Sequence, residues 1–204
     1  MELNEALSKI AEIHLQMART RLFRGYRSNT TLFSAVVAIA TAAAQALLVP
    51  DPAHHEMAYL SLWCTAAVVC LVVVGTGVVL RYWRTDSPVE RELTLVAIQQ
   101  FIPCLVVGGL LTYIFARFAW GSVWLLPGMW TILFGMGILA SRPLLPREIK
   151  WIGAFYLLCG LMSIVWARVG EPFSPWAMGI PFGVGQAAAA AVLYLKLERT
   201  DAAA

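Results

Sequence analysis

Four glutamines and one pair of histidines are the residues of this chain whose types and spacing could support chemistry. Gln45, Gln99, Gln100 and Gln186 all fall within strongly apolar runs. Serine and threonine hydroxyls bond to the preceding helical turn, but a primary amide in hydrocarbon needs a partner on another helix. Counting about 1.5 Å of rise per residue, Gln100 and Gln186 lie roughly 10 and 14 Å from the inner ends of their runs. Those depths allow one amide to reach the other. Gln45 sits near the outer end of its run, too shallow to join them.

Three prolines, Pro103, Pro127 and Pro181, fall inside apolar runs. Each removes a helical hydrogen bond and frees the carbonyl four residues earlier, at Gln99, Val123 and Ala177. Freed carbonyls in a bilayer must be repaired by neighbours or by water. Kinks at these positions would open a polar cavity whose expected lining is Gln99, Gln100, Thr131 and Gln186.

The stretch Asp51-Pro52-Ala53-His54-His55-Glu56-Met57 holds a cluster of metal-type ligands. Adjacent residues in a short loop seldom close a tetrahedral site without further ligands. A solvated polar loop is therefore the expectation, and a metal or pH sensor at His54 and His55 is the sharper alternative. Cys64, Cys70, Cys104 and Cys159 lie within apolar runs with no CxxC pair, and are expected to pack as small hydrophobes. The sequence carries no HExxH, phosphate-binding glycine loop or GxSxG. No ionisable side chain falls inside an apolar run, which argues against proton-coupled pumping, intramembrane proteolysis and bis-histidine haem. A non-enzymatic protein without a cofactor is expected.

The elements that must position these residues follow from composition. Of 204 residues, 60% are hydrophobic and 13% charged, with a mean hydropathy of +0.72. Globular domains carry about 25% charged residues. Six apolar runs remain between the charges, at about 32–49, 58–80, 93–115, 119–140, 151–167 and 176–195. Runs of this length read as transmembrane helices. The fold expected is all-α: one six-helix membrane domain over 28–204, preceded by a cytoplasmic amphipathic helix over 1–27. That lead segment shows an apolar stripe of Leu3, Leu7, Ile10, His14 and Met17, with acidic residues early and arginines late. Ser87-Pro88-Val89-Glu90 and Ser174-Pro175 read as helix starts, Ser28-Asn29 can cap the first span, and Pro50 and Pro52 stop it.

Of the fifteen lysines and arginines, only Arg117 and Arg168 fall in outer loops if the N-terminus is inside. The positive-inside rule then places both termini in the cytoplasm. The overall cast is similar to that of small bacterial inner-membrane proteins, a likeness that implies no activity. The net charge of +3 reflects this asymmetry and does not indicate nucleic-acid binding.

Small residues form two stripes at helical spacing. Gly179, Gly183, Gln186 and Ala190 lie on one face of the last span, and Ala35, Ala38, Ala42 and Gln45 on one face of the first. Such seams let helix backbones approach closely where hydrophobicity gives no drive. The expected function is a bundle subunit that associates with itself or with a membrane or cytoplasmic partner. A small channel or facilitator for a neutral or weakly polar solute, passing between kinked helices 3, 4 and 6, is the alternative.

Overall fold

A computed structural model describes residues 28–86, 88–142, 145–170 and 172–198. The amphipathic helix expected over 1–27 and the Ser87 cap lie outside the described residues. Six helices are long and apolar enough to cross a membrane, and no strand occurs among the described residues. They are α1 (Ser28–Leu48), α2 (Glu56–Arg84), α3 (Pro88–Phe118), α4 (Leu126–Ala140), α5 (Ile149–Val169) and α6 (Pro175–Leu193). This is the architecture of an integral membrane helix bundle.

Proline chemistry sets several boundaries. α1 stops at Leu48, before Pro50 and Pro52. Pro88 and Pro175 open α3 and α6, where a missing N–H removes no helical bond. Ser174 stands at the N-cap of α6, although its side chain makes no capping bond. Ser28 and Asn29 lie within the helical span of α1 rather than ahead of it.

Pro127 departs from expectation. It sits in the first turn of α4, after a separate 3-10 turn over Trp120–Leu125, and so interrupts no helix. The tighter turn absorbs the lost bond, with Leu126 N–H donating to Val123 O. Pro103 and Pro181 do lie inside α3 and α6, which run on through them. The chain ends its described part in a widened π turn, Tyr194–Glu198.

Two helix pairs form the packed centre, α4 with α5 and α1 with α6, and α2 and α3 attach at the periphery. A continuous run of rings joins the pairs. Phe101 meets Phe134 edge-on at 5.3 Å, Phe134 meets Tyr156 at 5.0 Å, and Tyr156 meets Phe182 at 5.3 Å. Edge-on and tilted contacts are those that the ring quadrupoles favour. Gly185 makes room for this run, because a Cβ there would come within 2.6 Å of the Tyr156 hydroxyl.

Candidate functional site

Glycine determines how closely the central helices meet. On α4 and α5, Gly128 and Gly135 oppose Gly160 and Gly153. A Cβ on Gly160 would lie 2.8 Å from Gly128 O, and one on Gly135 would lie 3.0 Å from Gly153 O. Only bare backbone fits at that separation. These glycines stand seven apart on each helix, two turns along one face. The sequence reading did not single them out, although the matching spacing was a usable signal.

The two stripes that the sequence did single out meet each other within the chain. A Cβ on Gly179 would reach 2.5 Å from Ala42 Cβ and 3.9 Å from Ala38 O, and Gly183 faces Ile39 and Ala35 O. Ala35, Ala38, Ala42 and Ala190 are buried. The seam is therefore spent on folding α1 against α6.

Gln45 occupies the centre of a buried polar knot at the outer end of that seam. The side chain is 0% exposed. Its Nε2 donates to Phe173 O at 2.7 Å, and its Oε1 accepts from Trp63 Nε1 at 2.7 Å. One amide thus ties α1 to α2 and to the α5–α6 loop. Phe173 pays a backbone cost to take part, with φ at 65° in a region that favours glycine. Its ring lies 4.8 Å from that of Tyr59, and the two belong to a core with Ala42, Leu60, Val123, Leu126 and Met178. The ring fixes the turn from the apolar side and the carbonyl fixes it from the polar side. Sequence depth had set Gln45 aside and had treated Trp63 as packing alone. Trp130, read the same way, donates to Thr112 Oγ1 at 2.9 Å.

The expected cavity lining does not converge. Thr131 is fully buried, but its hydroxyl donates to Pro127 O at 2.8 Å and lies 3.7 Å from Met178 Sδ. Gln99 is exposed, for a geometric reason. Phe101 turns toward Gly137 of α4, and two residues at 100° each put Gln99 on the far side of α3. Gln186 is half-buried on α6 and makes no hydrogen bond among the described residues. Gln100 is half-buried with Oε1 sealed from solvent and unpartnered. α3 packs chiefly on α4 and α6 chiefly on α1, so the two amides do not bond across the bundle. Equal depth was a necessary condition for pairing and not a sufficient one.

At the outer loop, His54 Nδ1 lies 2.8 Å from Asp51 Oδ2 and His55 Nδ1 lies 3.0 Å from Asp51 O. Both rings are oriented by the same aspartate, and both are exposed. No group of three or more His, Cys, Asp or Glu side chains that could hold a metal occurs among the described residues. The four cysteines are free and half-buried.

Fold and geometry together define a polytopic α-helical membrane protein with a glycine-packed centre. No protein family, curated protein or solved structure matches the chain.

Proposed function

We propose that this chain is a non-enzymatic bundle subunit that associates through the outward faces of α2 and α3. The observation that carries the reading is the emptiness around α2. In its most apolar stretch 6% of the residues are buried, against 44% in α6. Val68, Leu71, Val72 and Val79 of α2 are exposed, as are Ile102, Val106, Leu110 and Tyr113 of α3. A Cβ on Gly75 or Gly109 would meet nothing within 4 Å. Glycine costs about 1 kcal/mol relative to alanine in a helix, and a second helix approaching at these positions would offset that cost. The partner is a second copy or another membrane protein in a bacterial inner membrane, with both termini of this chain cytoplasmic.

Passage of a solute finds less support, because the expected lining residues face in different directions. The test uses the open space at the two glycines. Gly75→Leu and Gly109→Leu clash with nothing inside one chain. In nanodiscs or mild detergent, the wild type is expected to form a dimer or larger assembly, and each variant to weaken it at least fivefold with unchanged melting. A wild-type protein that stays monomeric at every protein-to-detergent ratio would overturn the reading.

A further inference from the structure

Two polar atoms at the basic end of the α3–α4 pair are sealed from solvent with nothing to bond. Ser141, which follows α4, is 3% exposed and its Oγ lacks a partner. Gln100 Oε1 is the second. The helix register brings them together. Gly108 faces Leu133, Thr112 accepts from Trp130, and the Phe101 ring covers Gly137. One more turn of the same antiparallel pairing sets Ser141 opposite the Ala97–Gln100 turn. Ala97 is buried there and presents only a methyl group.

Buried polar atoms without partners are uncommon, and each one calls for an explanation. A hydroxyl donates or accepts as required, and an unbonded amide exchanges its oxygen for its NH2 by rotation. Both groups can therefore donate to one acceptor. The charge around them selects its sign. Arg142 follows Ser141 directly and is exposed, and Arg147 and Lys150 lie in the same connection to α5. Its one carboxylate, Glu148, is held by Lys196 at 3.1 Å. Depth is marked by Trp151, 70% exposed beneath the Lys150 ammonium, which sits 4.9 Å from the ring centroid. Tryptophan and lysine so placed mark the headgroup level of a bilayer.

We infer that this end of the bundle is a headgroup site for an anionic phospholipid. The phosphate oxygens accept from Ser141 Oγ and the Gln100 amide, and Arg142 supplies the opposing charge. The acyl chains run along the exposed side chains of Leu95, Ile102 and Leu105 on α3. The site is independent of whether α2 and α3 also meet a partner.

The test compares the full chain in nanodiscs of phosphatidylcholine alone and of phosphatidylcholine with phosphatidylglycerol. Native mass spectrometry reads the retained lipid and thermal unfolding reads the stabilisation. The wild type retains phosphatidylglycerol selectively and melts higher in its presence. Ser141→Ala and Gln100→Met each lower that retention about tenfold, the loss expected for one hydrogen bond to a charged group. Arg142→Gln removes the preference for the anionic lipid, and Arg117→Gln at the opposite end leaves it unchanged. Equal retention by wild type and Ser141→Ala, or equal retention of both lipids by the wild type, would overturn the assignment. So would inorganic phosphate that raises the melting temperature in detergent as much as the lipid does, because the site would then serve a free anion.

Discussion

A Cβ on Gly160 of α5 would lie 2.8 Å from a backbone oxygen of α4, whereas a Cβ on Gly75 of α2 would meet nothing within 4 Å. The same residue type thus serves opposite ends in two regions of one bundle. In the centre, glycine allows two backbones to touch, and the interface tolerates no added atom. At the periphery, α2 and α3 keep long apolar faces turned outward, with no helix of this chain against them. The centre fixes the fold and the periphery is left for lipid or for another chain. A lipid-exposed helix needs only apolar side chains, but a helix in the centre needs particular small ones at particular turns.

The widest test of this contrast is a leucine placed on each side of it. Gly160→Leu or Gly135→Leu should cost 3 kcal/mol or more, on the order of the worst overpacking losses, because the obstructing atoms are backbone. The thermal midpoint in detergent should fall steeply or the folded protein should be lost. Gly75→Leu should leave the midpoint within about 1 °C, consistent with a change of a few tenths of a kcal/mol at an open site. A similar response at both sites would abolish the distinction between the two regions.

A smaller effect is expected at the polar knot. Gln45→Leu strands the Trp63 N–H and the Phe173 carbonyl in a dry core, for a loss of about 2 kcal/mol. Interhelical hydrogen bonds in membranes average only about 0.6 kcal/mol because their groups find other partners when separated. Here two groups lose their partner inside the folded state, so the larger figure is the better guide. Thr65→Val on α2 provides the peripheral comparison. The Thr65 hydroxyl bonds only to Ser61 O of its own helix and is exposed, so the midpoint should not move. Chemical denaturation of the two variants side by side would decide whether the centre is more sensitive.

The smallest effect lies at the basic end, where Glu148 holds Lys196. A bond to its own backbone N–H and then the Lys196 ammonium keep the Glu148 carboxyl below its usual range. A carboxyl lowered in the folded state adds stability above its unfolded value, and that stability is lost as pH falls through the folded one. The pair is solvent-exposed, so the gain is at most about 1 kcal/mol. Acid unfolding of Glu148→Gln should match the wild type below about pH 4 and fall slightly behind it at neutral pH. A wild-type advantage that grows on acidification would carry the wrong sign and reject the pair as a stabilising contact.

The parts of this fold that were legible in the sequence are those set by single helices. Six apolar runs each fall within one helix, because chain length against bilayer thickness depends on no neighbour. The face of small residues on α6 was legible for the same reason, since 100° per residue fixes a helix surface without reference to packing. What escaped the sequence were relations between helices. The depth of Gln45 was read correctly as shallow, but depth says nothing of the Phe173 carbonyl arriving from 128 residues away. Gln100 and Gln186 had compatible depths and incompatible rotations. Pro127 looked like an interruption because its run was continuous in hydropathy, and hydropathy does not distinguish a 3-10 turn from an α-helix.

The bond from Gln45 to Phe173 also has a meaning in time. α1 is the first of the six helices to be synthesised and α6, its chief neighbour, is the last. At 5–20 residues per second, about 6 to 26 seconds separate the emergence of Gln45 from that of Phe173. Throughout that interval α1 has its glycine-matching alanines and one amide face unclaimed, and the membrane-insertion machinery must retain or shield it. Biogenesis of this chain is therefore closed by its final helix, and a ribosome stalled before residue 173 releases a protein whose first helix still lacks its place.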